Sequence, residues 1–265
     1  MDPLVYEVYD HMKASNQGLN GNSVVIYGPT GFVGRAICLQ AHNAGYKVIG
    51  IGRNKSQTSC ESIEADFSVY SSLVEATSNL LSRSELPKAL IFCHRSRMSS
   101  RLSEADALLQ STAIEINPYL ALKQGLENSS RKGALNIVTV TSNAAFRYAQ
   151  DVYYNYHIVK HAQVAASIGL SLIPTTLQVF SNVISFGEAA DTSKREHDHQ
   201  HKRLFSMLSG FTLNKPVPTI DDIARAAIMF CDANSMGLSG QTLTVDSGLG
   251  CLTQESLARS FNPKG

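Results

Sequence analysis

The chain has 265 residues, 43% hydrophobic and 17% charged, enough apolar material for one substantial core at a length that α/β domains commonly reach undivided. Its 23 Lys and Arg against 22 Asp and Glu give a formal net charge of +1 without a long basic block. That balance argues against nucleic acid or a membrane surface as partner.

Residues 1–21 read as an extension. Leu4, Val5, Val8 and Met12 share one face of a short helix. Ser23–Tyr27 is a β-branched run, the first strand. The glycine-bearing turn Gly28–Gly34 then opens a helix over Phe32 to Asn43, stopped near Gly45. Tyr46 to Ile51 is the second strand and a weaker one reaches Ala65-Asp66, before a helix over Val69 to Ser82. Ala89 to Cys93, continuously apolar, reads as a strand buried on both faces. A helical stretch from Ser103 to Glu127 is expected to break near Asn117-Pro118, because proline lacks the interior donor. Leu135 to Val140 is the fifth strand, Val152 to Leu170 a helix and Thr176 to Phe180 the sixth strand. Residues 186–216 form a polar insertion, Ile220 to Asp232 an alanine-rich helix, Thr242 to Val245 a seventh strand, and residues 254–265 a tail. Strand and helix alternate throughout. The expectation is one α/β domain over 22–253, a doubly wound, Rossmann-like parallel sheet of about seven strands with helices on both faces.

Five scattered cysteines (Cys38, Cys60, Cys93, Cys231, Cys251) with no C-x-x-C pair fit a reducing compartment. The first residues lack the basic and apolar regions of a secretory signal, and no apolar run reaches the length of a membrane span. A cytoplasmic protein is expected.

Two motifs carry the chemistry. The first is Gly28-Pro-Thr-Gly31-Phe-Val-Gly34 between a strand and a helix. There the backbone of Gly28, Thr30, Gly31, Phe32, Val33 and Gly34, with the helix dipole, can accept the pyrophosphate of a dinucleotide. Gly28 allows the tight turn, Gly31 the approach to phosphate, and Gly34 the close packing of helix on strand. At the end of the second strand stands Arg53, with no acidic residue. An arginine there accommodates a 2′-phosphate, so NADP(H) is favoured over NAD(H). The second motif is Tyr156-His-Ile-Val-Lys160, fourteen residues after Ser142. An i, i+4 pair shares a helix face, and a cation beside the phenol favours phenolate, which makes it a usable acid/base. Tyr156 could otherwise serve with Tyr153 and Tyr154 as a packing face.

From about residue 22 to 252 the chain resembles the short-chain dehydrogenase/reductase family. The resemblance rests on the glycine turn, Ala65-Asp66, Asn117, Ile137 to Ser142, Tyr156-x-x-x-Lys160 and Gly240 to Gly248. It implies that Asp66, with Phe67, approaches the adenine, and that Asn117 holds a water in a proton relay. Ser142 would bond the substrate oxygen, Tyr156 would exchange its proton, and Lys160 would grip the nicotinamide ribose. Val183 and Ser185, just after the sixth strand, would lie near the nicotinamide carboxamide. The implied activity is NADP(H)-dependent interconversion of a carbonyl and an alcohol on a small biosynthetic substrate, in a homodimer or homotetramer assembled through the helices after strands four and five.

The chain departs from the family pattern in places. The usual Asn-Asn-Ala-Gly after strand four is Cys93-His-Arg-Ser96, and the Pro-Gly after strand six is read as replaced by Phe180-Ser181. The serine-to-tyrosine spacing is one residue longer than is most common. These changes motivate an alternative, a weakly active or inactive nucleotide-binding regulator. Tyr153, seven residues before Lys160, has the spacing of the enoyl reductases that resemble this family. His197-Asp-His-Gln-His201 reads as part of a solvated lid over residues 186–216 that closes on substrate, with no metal site expected.

Overall fold

Seven strands pair in parallel in the order β3-β2-β1-β4-β5-β6-β7. In chain order the elements are β1 (Ser23–Tyr27), α1 (Phe32–Asn43), β2 (Lys47–Gly52), β3 (Glu61–Glu64), α2 (Tyr70–Leu81), β4 (Ala89–Phe92), α3 (Glu104–Glu127), β5 (Gly133–Ser142), α4 (Tyr154–Leu170), β6 (Leu177–Phe186), α5 (Ile220–Met229) and β7 (Thr242–Val245). This computed structural model describes residues 22–53, 60–96, 102–148, 153–187 and 217–251, with short pieces at 189, 207–208 and 211–212. The N-terminal extension, the His197–His201 run and most of the expected lid lie outside those residues.

The strands alternate between two cores. Val25, Tyr27, Leu90, Phe92, Leu135 and Ile137 face α2, α3 and α4, while Val24, Ile26, Ala89, Ile91, Val138 and Val140 face α1 and α5. Side chains of period two cover both faces of a sheet only when helices flank each, so the crossovers follow from the strand sequences. The sequence order of the strands reverses between β1 and β4. Parallel sheets open a crevice there, at the carboxyl ends of the strands.

Those two strand ends are filled by an aromatic stack. Tyr27 lies 4.3 Å from Phe92 in a stacked arrangement, and Phe92 lies 4.4 Å from Tyr119 of α3. Such offset stacking adds about 0.5–1.5 kcal/mol per pair beyond the area buried. It ties the floor of the crevice to the helix above it.

Three expectations are corrected. α3 runs unbroken through Pro118, which is buried inside it. The ring removes only one donor, leaving the Ile114 carbonyl without its i+4 partner, and packing on the sheet holds the rest of the helix. β6 continues past Phe180 to Phe186, because it pairs with β5 along its whole length, from Gly133 with Leu177 to Ser142 with Phe186. Val183 and Ser185 are therefore inside the strand, and the residues leaving the sheet edge are Phe186-Gly187. The last helix is shorter than expected. α5 stops at Met229 and a 3₁₀ segment, Phe230–Met236, follows.

That 3₁₀ segment is held by Asn136 of β5. The Asn136 amide donates to the Cys231 carbonyl at 2.8 Å, and its Oδ1 accepts from the Asn234 N–H at 2.9 Å. Truncating Asn136 to Ala strands those buried groups. Urea unfolding should show a loss of about 2 kcal/mol, and an unchanged midpoint would contradict this account of the segment.

Candidate active site

The first βα turn has the shape of a phosphate cradle. Gly28 has φ +89°, and a Cβ there would lie 2.8 Å from the Cα of His94. A Cβ on Gly34 would stand 2.1 Å from the Gly28 carbonyl oxygen, so backbone packs on backbone as α1 leaves the sheet. α1 begins at Phe32 with Gly31 as N-cap, no capping side chain and no acidic residue in its first turn. The first N–H groups of a helix have no intrahelical acceptor, and the dipole makes that end positive. Gly50 of β2 completes the turn, since a Cβ on it would come within 2.8 Å of the Pro29 ring. Sequence reading passed over Gly50. The signal was a glycine in an otherwise branched strand, one strand away from the proline it accommodates.

Beside the turn, Arg53 is exposed at the end of β2. Asp66 follows β3. The Ser68 hydroxyl donates to Asp66 Oδ1 at 2.7 Å and the Ser68 N–H at 2.9 Å. These bonds, with the charge of Arg53 nearby, hold the Asp66 carboxyl below its ordinary range. Phe67 is buried, its ring edge-on to His94 at 4.9 Å.

The other wall is made by β5 and α4. Ser142 ends β5 and its Oγ accepts from the Ala144 N–H at 3.2 Å. This leaves the hydroxyl hydrogen available to another acceptor. His157 Nδ1 and the Ala144 carbonyl are 2.9 Å apart, with the ring donating. That bond fastens the loop after Ser142 to α4 one residue beyond Tyr156. The Lys160 ammonium stands 5.4 Å from the centre of the Tyr156 ring. Tyr153, by contrast, is 73% exposed at the start of the helix. Ser142, Tyr156 and Lys160 are thus gathered at the carboxyl edge of β5.

Lys160 does not stand in water. It is 3% exposed, and its Nζ donates to Glu115 Oε2 at 2.5 Å and to Gln163 Oε1 at 3.2 Å. Thr141 donates to the same Gln163 oxygen at 2.9 Å. Burial works against the charged form of Glu115, yet Lys160 beside it and the Ser96 hydroxyl together hold the carboxyl below its ordinary range. Glu115 escaped the sequence reading. It was detectable as an acid in the buried stripe of α3, between Ser111 and Pro118, Tyr119 and Leu122.

Asn117 points elsewhere, donating to the Phe67 carbonyl at 3.3 Å. The side chain of α3 that meets Lys160 is Glu115. Val183 is fully buried with its N–H bonded to Gln241, and Ser185 donates to Asn143 Oδ1 at 2.5 Å. At the edge itself Gly187 packs against Asn143, its place for a Cβ being 3.1 Å from Nδ2.

His94 sits in an aromatic cage of Phe67, Phe92 and Tyr119. Its Nε2 lies 3.2 Å from the Glu115 carbonyl oxygen, to which it donates, and Nδ1 has no partner among the described residues. Burial lowers the imidazole from 6.5 to about 4. No disulfide joins any of the five cysteines; burial pushes the thiols of Cys38 and Cys231 up to about 12 and that of Cys93 up as well. Among the described residues, no group of three or more His, Cys, Asp or Glu could hold a metal, and no helix is long and apolar enough to cross a membrane.

The His94 environment has a measurable consequence. Below pH 6.5 the unfolded chain takes a proton there that the folded protein refuses until about pH 4. Stability is therefore lost as pH falls across that window. Between pH 7 and pH 5 the loss from this residue is about 2 kcal/mol. Denaturant titrations should show His94→Asn with a correspondingly flatter dependence over that interval. Parallel curves for the two proteins would refute the assignment.

Two family models match the sequence. One described as enoyl-(acyl carrier protein) reductase spans residues 92–250, well over half of the chain, and one described as the NAD dependent epimerase/dehydratase family spans 24–96. No curated protein matches. Among solved structures, ligand-free aldohexose dehydrogenase from Thermoplasma acidophilum superposes with a TM-score of 0.72 at 16% identity, covering 89% of this chain and 98% of its own. A glucose/ribitol dehydrogenase of the short-chain type from Brucella melitensis gives 0.69 at 22%, covering 87% and 97%. A gluconate 5-dehydrogenase from Burkholderia cenocepacia in complex with NADP and tartrate gives 0.70 at 17%, covering 89% and 97%. At these identities the likeness is one of fold.

Proposed function

The chain belongs to the short-chain dehydrogenase/reductase family, and from that premise we propose that it interconverts a carbonyl and an alcohol on a small molecule with NADP(H). The observation that carries this reading is the buried Lys160 ammonium 5.4 Å from the Tyr156 ring. The loop bearing Ser142 is fastened to the same helix through His157.

The residues present fit a dinucleotide. Side chains on Gly28 or Gly34 would fill the turn, so the backbone is kept bare where phosphates need to approach. Gly28 to Gly34 would hold the pyrophosphate through the amides of Thr30, Gly31, Phe32 and Val33. Arg53 would face a 2′-phosphate, Asp66 and Phe67 the adenine, and Lys160 a ribose hydroxyl. A dehydrogenase from Burkholderia cenocepacia with the same fold was solved with NADP, which agrees with this choice. When bound, the nicotinamide supplies or takes the hydride.

What the chain itself does follows from the donors in place. The Ser142 hydrogen goes to the substrate oxygen, polarising the carbonyl and steadying the alkoxide as charge develops. Tyr156 gives that oxygen its proton in reduction and takes it in oxidation. The charge of Lys160 steadies the phenolate left behind. The Asn117 side chain is bonded to the Phe67 carbonyl, and the relay expected of Asn117 is proposed to run through a water held on the backbone there, the water carrying the proton. Tyr156 serves as acid/base in preference to the exposed Tyr153, which favours carbonyl over enoyl reduction. The neighbouring dehydrogenases act on aldohexose, glucose/ribitol and gluconate, so polyols and sugar-derived ketones head the substrate panel, followed by 3-oxoacyl thioesters.

We further propose a homodimer or homotetramer. α3 and α4 carry exposed Leu109, Leu120, Tyr154 and Ile158, an apolar set suited to a symmetric contact between copies.

Turnover of that panel with NADPH tests the reading. Tyr156→Phe should lower kcat by about 100- to 10,000-fold while NADPH fluorescence still reports binding, and full activity in this variant would defeat the mechanism. Arg53→Ala should cost about 10- to 100-fold in NADPH affinity and leave NADH affinity nearly unchanged. An unaltered ratio of the two affinities would overturn the coenzyme assignment.

A further inference from the structure

Tyr156, Lys160 and Ser142 leave one buried charge without a task. Glu115 is 1% exposed, on the helix opposite, and both oxygens of its carboxylate accept hydrogen bonds. Ser96 donates to Oε1 twice, from its hydroxyl at 2.7 Å and its N–H at 3.1 Å. Oε2 takes Lys160 at 2.5 Å. His94 donates to the backbone carbonyl of the same residue at 3.2 Å.

Two of these partners, His94 and Ser96, come from the Cys93–Ser96 segment, the stretch that departs most from the family's pattern. The departures are therefore concerted. His94 and Ser96 grip the main chain and the side chain of one glutamate, and that glutamate grips the lysine.

We infer that Glu115 is a positioning residue for Lys160, and that Cys93–Ser96 is built to hold Glu115 in place. This rests on the reading of Tyr156 and Lys160 given above. A lysine side chain has four freely turning carbons and three donors. Glu115 and Gln163 take two of them, so the third is aimed by the first two rather than by chance. With Ser96 occupying Oε1, the carboxylate cannot rotate away without breaking two bonds.

The same carboxylate tunes the acid/base. The titratable groups around Lys160 are Glu115, its ion-pair partner from α3, and His94 from the end of β4, which feels its charge; Tyr119 of α3 lies beside Glu115 and Gln163, and Thr141 of β5 bonds the same Gln163. His94 is neutral in its cage. Within this set Glu115 is the carboxylate, and it offsets part of the lysine's field on the phenol. Removing its charge leaves the lysine's field on the phenol unopposed.

The test is a pH profile of carbonyl reduction and of the reverse oxidation, with NADPH binding followed separately by fluorescence. Glu115→Gln should shift the limb assigned to Tyr156 to lower pH by about one unit, and lower kcat about 10- to 100-fold as Lys160 loses its aim. Glu115→Asp should restore part of both. Ser96→Ala, which keeps the charge but leaves Oε1 only the backbone N–H bond, should lower kcat by a smaller factor and leave the limb where it is. It also serves if Glu115→Gln does not fold. A Glu115→Gln protein with wild-type kcat and an unmoved limb would overturn the proposal, as would wild-type kcat in Ser96→Ala. If Tyr156→Phe is inactive in the same assay, that failure falls on Glu115 alone; if Tyr156→Phe is active, it falls on the underlying mechanism.

Discussion

A carboxylate and an ammonium, both under 5% exposed, meet at 2.5 Å between α3 and α4. Each would be intolerable there without the other. Removing one partner of such a pair leaves an uncompensated buried charge and costs about 3–5 kcal/mol, although the intact pair adds little to stability over an apolar replacement. A pair of this kind is evidence about geometry. It requires α3 and α4 to keep one spacing, and through Gln163 and Thr141 on one side and Ser96 on the other it fixes the ends of β5 and β4 to them. Four elements of the carboxyl edge are thereby held in a single polar chain.

The rest of the crevice is arranged around that chain by packing. The aromatic stack of Tyr27, Phe92 and Tyr119 sets the ends of β1 and β4 where the strand order reverses. Gly28 passes so close to His94 that no side chain fits between them. The glycine turn and the Cys93–Ser96 segment therefore act as one wall. A second polar chain runs deeper, from Tyr119 through Thr139 and Ser167 to Ser181. It joins α3, β5, α4 and β6 beneath the site without charge, and with its donors and acceptors paired it adds rigidity at low cost.

Much of this was legible in the amino-acid order because it is local. β1, α1 and β7 coincide with the spans their patterns suggest, and Tyr156 and Lys160 declare themselves by spacing along one helix. What could not be read depends on pairing between distant segments. β6 looked finished at Phe180, since Ser181-Asn-Val-Ile-Ser is half polar; it continues because Ser181, Asn182 and Ser185 find partners in Ser167, Leu238 and Asn143. Pro118 looked like a break, since the packing that keeps α3 continuous through it is invisible along the chain. Glu115 looked like any helical acid, and only its place in the buried stripe hinted otherwise. Cys93–Ser96 suggested a specialised or weakened site because its partner lies about twenty residues on, in another element.

The central claim is that the glycine turn and the Tyr156–Lys160 face enclose one pyridine nucleotide between them. A crystal structure of the protein grown with NADPH measures this directly. The account requires pyrophosphate at the amides that open α1, the 2′-phosphate at Arg53, and Lys160 within hydrogen-bonding distance of the nicotinamide ribose while still paired with Glu115. A crevice empty at saturating coenzyme, or a nucleotide seated with its nicotinamide away from Tyr156, would contradict it.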